Sequence, residues 1–409
     1  MTADLTRLRK VDVADVYVGD ALAAQLSRGD GVTRFAYLTD YLRHQGPGLA
    51  TTLPRSDARV ESPAGALPPF FAGLLPEGRR LTAIRTAVKT SADDDLSLLL
   101  AVGGDTIGHT RVVAHGEPLP PDETALSVVA DPSEVSFAEL FRQAIGADTD
   151  LLDRVALPGV QDKISGRMIV FQVAGTHERY LLKLDPPEFP HLVANEAFFL
   201  DAARRSGLPT ARTEVITDRD GRAGLLVERF DRVPTDDGLQ RLAQEDACQV
   251  LGRYPADKYR LTAEEVISGL ANVTDAPIVT ARDLLRQFAF AYLTGNGDAH
   301  AKNFSVVRQP AGPWRVSPAY DVPSSYPYGD TTMALPIAGR DRENITWRQF
   351  VEAGHEVGVA ERAVRRLLGD LVARVDRWLP DLDRLPFDER RRHRLRRLIE
   401  DRRAKLTPE

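Results

Sequence analysis

The chain has 409 residues, of which 43% are hydrophobic, and it carries a formal net charge of −6 at pH 7. This length predicts two or three domains, and the negative charge argues against a surface that binds nucleic acid as a whole. The single cysteine, Cys248, excludes an intramolecular disulfide and a multi-cysteine zinc site.

The first part of the chain predicts a small α/β domain over residues 1–115. DVYVGD and VTRFAYL are typical of strands, and FFAGLLPEGRRLTAIRTA indicates the start of a helix. Residues 116–149 are predicted to form a linker, because 116–134 are rich in proline and acidic residues. No apolar run approaches the length of a membrane span and no signal-peptide core is present, so we expect a cytoplasmic protein without membrane contact.

A turn-rich loop followed by two strands is predicted within residues 155–185. Gly159, with Gln161 and Lys163, could place backbone N–H groups and a cation against phosphates. A single glycine is a weak signal for such a loop.

Lys183 stands in the apolar run YLLKL, where a cation needs an anionic partner. The partner could be a phosphate or a carboxylate, and Glu196 in the following predicted helix is a candidate. Two alternatives remain open at this point. Lys183 could belong to an edge strand and extend into water, and Glu196 could be an acid placed near a helix N-terminus by the helix dipole.

A hairpin around Asp220–Gly221 is predicted to end in VERFDR, residues 227–232. Its place in the chain suggests a connection between a β-rich lobe (150–232) and a helical lobe (233–409), where backbone groups could receive adenine. The same segment could equally be an ordinary strand exit.

The most informative stretch is GNGDAHAKN, which follows a predicted amphipathic helix ending at Gly295. It places an acid at Asp298 and an amide at Asn303, and Asp321 follows a predicted hairpin formed by FSVV and WRVS. An acid and an amide at this spacing are what phosphoryl transfer from ATP requires. Taken singly, Asp298 or Asn303 is better explained as a turn residue; the whole ordered set favours a metal–nucleotide site.

The order of these features is the two-lobed layout of a eukaryotic-like protein kinase. The chain further resembles the HipA family of bacterial toxin kinases in LPGVQDK, LLKLD, ANEAFF, VERFDR, QEDACQVLG, GDAHAKNFS and AYDV, and also in the amino-terminal phrases FFAGLLPEG and DTIGHTRVV. The resemblance spans nearly the entire chain. It implies an α+β, two-lobed protein-kinase-like fold, with a β-rich N-terminal lobe and an all-helical C-terminal lobe after the small α/β domain.

The resemblance also implies roles for residues in the stretch GNGDAHAKN (295–303), called the acid loop below, and for Asp321. Asp298 would be the catalytic base, and His300 would approach the γ-phosphate of ATP. Asn303 and Asp321 would be Mg²⁺ ligands.

For the nucleotide, the resemblance implies that Lys183 contacts the phosphates and that the backbones of Glu228 and Phe230 bind adenine. The phosphate-binding loop of the family corresponds to residues 155–163. Its implied nucleotide contacts are Gly159, Val160, Gln161 and Lys163.

One departure from the family concerns regulation. HipA proteins commonly carry a serine three residues before the loop glycine, and its autophosphorylation switches off the enzyme. The matching residue here is Ala156, which has no hydroxyl. Ser165 is another hydroxyl that could serve.

The implied function is an ATP- and Mg²⁺-dependent protein serine/threonine kinase that arrests growth. Family members whose targets are known act on aminoacyl-tRNA synthetases, and a helix-turn-helix antitoxin, HipB, neutralises them in a complex on operator DNA. The alternatives are a small-molecule phosphotransferase and a non-catalytic co-repressor partner of the antitoxin. The basic stretch ERRRHRLRRLIEDRRAK predicts a helix with a solvated face, or one that contacts operator DNA through phosphates.

Overall fold

The computed structural model describes residues 5–409 except 45, 92, 121–131, 141–168, 175–178, 187–188, 237, 311 and 343. Ala156, Ser165 and the predicted phosphate-binding residues Gly159, Val160, Gln161 and Lys163 therefore lie outside the described residues. So does most of the predicted linker.

The amino-terminal domain is built on an antiparallel sheet of five strands in the order β4-β3-β2-β1-β5. The sheet is antiparallel throughout, so this domain contains helices and strands but is not assembled from βαβ units. Helices and strands bury a shared apolar core that includes Phe35 and Phe71. The strands are β1 (Val13–Val18), β2 (Ala21–Gly29), β3 (Val32–Tyr37), β4 (Val60–Pro63) and β5 (Thr110–Ala114), and the helices are α1 (Thr39–Arg43), α2 (Pro69–Gly73), α3 (Gly78–Val88) and α4 (Asp95–Val102).

A second antiparallel sheet, in the order β6-β7-β9-β8, forms the N-terminal lobe. The two strands predicted within residues 155–185 and the hairpin predicted around Asp220–Gly221 are confirmed, because β6 pairs with β7 and β8 pairs with β9. The turn between the latter two contains Gly221 at φ 78°, a left-handed conformation that glycine adopts without strain. The elements are β6 (Ile169–Ala174), β7 (Arg179–Leu184), α5 (Leu192–Arg205), β8 (Thr213–Thr217) and β9 (Ala223–Glu228).

The C-terminal lobe is helical around a large core but is not all-helical, and that part of the fold prediction is wrong. A three-stranded sheet, β12-β13-β14, lies within it, and a separate hairpin, β10-β11, follows the first lobe. The sheet contains the predicted FSVV–WRVS hairpin, whose backbone groups gain a further partner in β12. The strands are β10 (Arg232–Thr235), β11 (Gly238–Arg241), β12 (Ala243–Asp246), β13 (Ser305–Arg308) and β14 (Trp314–Val316), and the helices are α6 (Ala247–Val250), α7 (Ala263–Asn272), α8 (Pro277–Thr294), α9 (Trp347–Glu356), α10 (Glu361–Ala373) and α11 (Glu389–Leu406).

Helix α8 carries the predicted apolar stripe and ends where predicted. Leu284, Leu285 and Phe288 are almost fully buried in the core of the lobe. Gly295 follows the last helical residue at φ 72°, so the chain leaves the helix in a left-handed conformation. The acid loop therefore begins directly at the buried end of this helix.

Buried ion pairs connect the amino-terminal domain to the segment that links the two lobes. Asp105 accepts hydrogen bonds from Arg232 at 2.7 Å and from Arg229 at 3.0 Å. Both arginines are less than 5% exposed and also pair with Asp231. Although burial opposes it, the charges of these arginines lower the pKa of Asp105 below its usual value. The linking segment is thus held by the amino-terminal domain as well as by the lobes.

The basic stretch near the end of the chain forms helix α11, as predicted. Its Arg402 is buried and donates to the carbonyl oxygen of Tyr292. None of the described helices combines the length and the apolar character needed to cross a membrane.

Candidate active site

Lys183 lies in strand β7 between two buried leucines, and it is only 9% exposed. Its Nζ donates to Glu196 Oε1 at 2.7 Å and to Asp321 Oδ1 at 3.1 Å. Because β7 is bordered by β6 and β9, the edge-strand interpretation of this lysine is wrong. The predicted ion pair with Glu196 is confirmed.

In the cluster formed by Lys183, Glu196 and Asp321, the pKa values depend on burial and on the neighbouring charges. Burial alone would lower the pKa of Lys183, but the charges of Asp321 and Glu196 raise it above its usual value. Burial opposes ionisation of Asp321 as well, yet the Lys183 ammonium lowers the pKa of that carboxyl. A cation and at least one anion therefore persist here at neutral pH.

Asp321 also contacts the acid loop. Its backbone has φ 56°, a left-handed conformation that is rare for a residue with a side chain. Its Oδ2 accepts a hydrogen bond from Asn303 Nδ2 at 2.8 Å. The carboxylate of Asp321 is thus contacted by both Lys183 and Asn303, which are far from each other in the sequence.

Asp298 is 3% exposed and is oriented by two neighbours. Its backbone N–H donates to Asn296 Oδ1 at 3.1 Å, and its Oδ1 accepts from the hydroxyl of Tyr259 at 2.7 Å. Burial and the charge of Asp298 both raise the pKa of Tyr259, so the phenol stays protonated and donates a hydrogen bond to Asp298. Tyr259 was not identified from the sequence, because a tyrosine in RYPADKYRL belongs to no recognisable motif.

His300 lies against Tyr259, with ring centroids 5.1 Å apart and the rings nearly perpendicular. Burial and the neighbouring Lys258 ammonium lower the pKa of His300 to about 3, so the imidazole is neutral. Within the described part of the chain, its Nδ1 is buried and has no hydrogen-bond partner. A buried nitrogen of this kind is suited to contact a ligand.

The side chains available for a metal fit Mg²⁺ by chemical type, since the ion prefers carboxylate and amide oxygens. In this arrangement, however, Asn303 Oδ1 accepts from the backbone N–H of His300 at 3.0 Å and Nδ2 faces Asp321. An ion shared by Asn303 and Asp321 therefore requires the amide to rotate. Among the described residues, no group of three or more His, Cys, Asp or Glu side chains is placed to hold a metal.

A cavity of about 380 Å³ opens beside Lys183 and Asp321. This volume is in the range of small-molecule sites. The segment between the lobes forms one wall and includes Glu228 and Phe230. Residues of the amino-terminal domain form another wall and include Glu77, which the sequence did not single out.

Comparison with known proteins identifies the family and agrees with the fold. The HipA N-terminal domain model matches residues 14–113, and the HipA-like C-terminal domain model matches residues 155–379. The candidate kinase Y4mE of Sinorhizobium fredii is 31% identical over 351 residues, covering 79% of this chain and 81% of that protein. The serine/threonine-protein kinase toxin HipA of Shewanella oneidensis is 28% identical over 353 residues, covering 79% of this chain and 78% of that protein.

A solved structure of Shewanella oneidensis HipA, in complex with HipB and operator DNA, has a similar fold. The TM-score is 0.76 at 21% sequence identity, and the match covers 96% of both chains. At that identity the likeness establishes the fold.

Proposed function

The chain belongs to the HipA family of serine/threonine kinases, and from this premise we propose that it transfers the γ-phosphoryl group of ATP to a serine or threonine hydroxyl of a protein. The observation that carries the proposal is the buried contact of Lys183 with Glu196 and Asp321, next to Asn303 and at the wall of a cavity. A cation held between two carboxylates beside an open cavity is suited to bind nucleotide phosphates.

In the proposed reaction, catalysis depends mainly on positioning and on charge. Asp298 orients the attacking hydroxyl and accepts its proton, and Tyr259 fixes the direction of that carboxylate. The neutral imidazole of His300 contacts the γ-phosphate. Mg²⁺, when bound by Asn303 and Asp321, supplies positive charge to the phosphate oxygens.

The adenine is assigned to the segment between the lobes. The backbone N–H of Glu228 donates to the Arg212 carbonyl at 2.8 Å. We therefore assign the adenine contacts to the Glu228 carbonyl oxygen and the Phe230 N–H. Lys183 contacts the phosphates, as do Gly159, Val160, Gln161 and Lys163 in the proposed loop.

The test is phosphoproteomics of cells that produce the wild type or Asp298→Asn. We expect phosphorylated serines or threonines that depend on Asp298, together with growth arrest that the variant does not cause. Asp370→Asn, which removes an exposed carboxylate from helix α10, is the matched control and should behave as the wild type. Phosphorylation and arrest that persist in Asp298→Asn would refute the kinase proposal.

We propose an aminoacyl-tRNA synthetase as the protein substrate and a HipB-like antitoxin as the partner, with operator DNA reached only through that antitoxin. Support comes from family membership and from the shared fold with a HipA solved in such a complex. Purified synthetases incubated with the enzyme and labelled ATP test the substrate class. Co-purification with a helix-turn-helix protein encoded beside this chain tests the partner.

A further inference from the structure

Glu77 of the amino-terminal domain contacts two lysines of the C-terminal lobe. It is the residue that precedes helix α3, and its side chain is one-third exposed. Its Oε2 accepts a hydrogen bond from Lys258 Nζ, and its Oε1 lies 3.4 Å from Lys302 Nζ. One carboxylate thus joins two cations across the boundary between the amino-terminal domain and the kinase lobes.

Each of these lysines adjoins a residue of the candidate active site. Lys258 precedes Tyr259, whose hydroxyl donates to Asp298 at 2.7 Å. Lys302 lies in the acid loop itself and precedes Asn303. A displacement of Lys258 therefore reaches Tyr259, which orients Asp298, and a displacement of Lys302 reaches the proposed metal ligand Asn303.

Further contacts join the segment that contains Lys258, the acid loop and the amino-terminal domain. The backbone N–H of Ala301 donates to the carbonyl oxygen of Lys258 at 3.1 Å. Lys302 Nζ donates to the carbonyl oxygen of Gly73 at 3.0 Å, again in the amino-terminal domain, and lies 3.3 Å from Asp246. The acid loop is thus held by the amino-terminal domain as well as by the C-terminal lobe.

The carboxylate in this contact is held in its charged form by the neighbouring ammonium groups. Although burial opposes it, the ammonium groups of Lys302 and Lys258 lower the pKa of Glu77 to about 2. Glu77 is therefore ionised at neutral pH, as its contact with these lysines requires.

Resting on the kinase function proposed above, we propose that Glu77 is a positioning residue, through which the amino-terminal domain holds the loop that carries Asp298 and Asn303. It acts through Lys258 and Lys302 and has no part in the transfer step. Removing its charge should leave nucleotide binding intact and place the reacting groups less accurately.

The kinetic test compares Glu77→Gln with Glu61→Gln. Glu61 carries a carboxylate in the same domain that pairs on the surface with Arg34. We expect Glu77→Gln to lower kcat about tenfold or more, because small misplacements at a transferring group are costly, with little change in the KM for ATP. Glu77→Asp, which keeps the charge, should recover part of the activity, and Glu61→Gln should match the wild type.

Hydrogen–deuterium exchange provides a readout that does not depend on activity. We expect faster exchange in residues 295–305 of Glu77→Gln, with unchanged exchange in strands β1 and β2 of the amino-terminal domain. If the wild type transfers no phosphate, the function proposal fails while this measurement still tests Glu77. Should Glu77→Gln fail to fold, Lys258→Gln removes one of the two ion pairs of Glu77 from the other side.

Three results would overturn the inference. Exchange of residues 295–305 that matches the wild type shows that the loop does not depend on Glu77. A rise in kcat would show that the contact restrains the enzyme. An unchanged kcat with a higher KM for ATP would show that Glu77 binds nucleotide directly.

Discussion

Asn195 and Ser324 are joined by two hydrogen bonds through one side-chain amide. Asn195 Nδ2 donates to the Ser324 carbonyl oxygen at 2.8 Å, and its Oδ1 accepts from the Ser324 N–H at 2.9 Å. Both residues are fully buried. Because Glu196 and Asp321 lie one and three residues away, this amide connects helix α5 to the segment after Asp321 and maintains the distance across the Lys183 cluster.

The first prediction concerns this amide. Asn195→Asp keeps the acceptor but loses the donor, so the Ser324 carbonyl remains buried without its partner. We expect a loss of about 1–3 kcal/mol in the free energy of unfolding and a lower kinase activity. Urea unfolding and a phosphotransfer assay measure the two effects, and Asn272→Ala, at the exposed end of helix α7, is the control. An unchanged activity in a folded Asn195→Asp would show that the connection is not needed for catalysis.

The second prediction concerns the charge of Lys183. Lys183→Met leaves Glu196 and Asp321 buried beside each other without a cation, and removing one member of a buried ion pair typically costs about 3–5 kcal/mol. We expect a large loss of stability in urea and no measurable binding of an ATP analogue. Glu196→Gln keeps an oxygen for Lys183 to donate to, so it should remain more stable than Lys183→Met. The reverse order of stability would contradict this account of the cluster.

The third prediction concerns pH and His109, which lies in the amino-terminal domain and is 7% exposed. Burial, with the charges of Arg308 and Arg232, lowers its pKa from 6.5 to about 4. The unfolded chain therefore binds a proton at a pH where the folded chain does not, and the stability that neutral His109 contributes is complete above pH 6.5 and is lost as the pH falls towards 4. At pH 5 the loss is about 2 kcal/mol.

Urea unfolding at pH 7 and pH 5 tests this prediction. The difference between the two pH values should be smaller in His109→Gln than in the wild type. His393, which is exposed on helix α11, gives the matched control, and His393→Gln should preserve the wild-type difference. Equal pH dependence in the wild type and His109→Gln would contradict the assigned pKa.

The fourth prediction concerns the basic helix α11 and the proposed complex with an antitoxin on DNA. Arg396 lies 3.1 Å from Asp383, whereas Arg397 is exposed. If this helix contacts DNA phosphates, Arg397→Ala should reduce the slope of log affinity against log salt by about 0.9, and Arg396→Ala should reduce it less. Fluorescence anisotropy of labelled operator DNA over a salt series measures the slope. An unchanged slope in both variants indicates that the helix is only a solvated surface.

Local patterns predicted much of this structure, and the failures have physical causes. The stripe ending at Gly295 and the hairpin turn at Gly221 are short-range signals, and both are confirmed. Lys183 could be recognised as needing an anion because burial of a lone cation is costly. The pairing of β12 with β13 joins segments about sixty residues apart, and a four-residue strand carries too weak a pattern to reveal it.

The same limit applies to the candidate site. Tyr259 and Glu77 contact the acid loop only through the tertiary fold, so no spacing in the sequence connects them to Asp298. Asn303 and Asp321 were expected to share a metal ion, and the structure does place them together. It could not be foreseen that the amide nitrogen of Asn303, which cannot bind a metal, faces the carboxylate.

The fifth prediction concerns Tyr259. Tyr259→Phe retains the ring that packs against His300 and removes only the hydroxyl that donates to Asp298. A hydrogen bond to a charged group contributes about 1.5–3 kcal/mol, so we expect kcat to fall about 10- to 150-fold. The KM for ATP should change little, because the hydroxyl acts on the carboxylate and not on the nucleotide.

Steady-state kinetics of Tyr259→Phe and Tyr254→Phe make the comparison, since Tyr254 is a partly buried tyrosine only five residues earlier. Tyr254→Phe should retain the wild-type kcat. A Tyr259→Phe enzyme with normal kcat would show that Asp298 is oriented by its backbone contact with Asn296 alone. A raised KM for ATP with normal kcat would instead place the phenol in the nucleotide site.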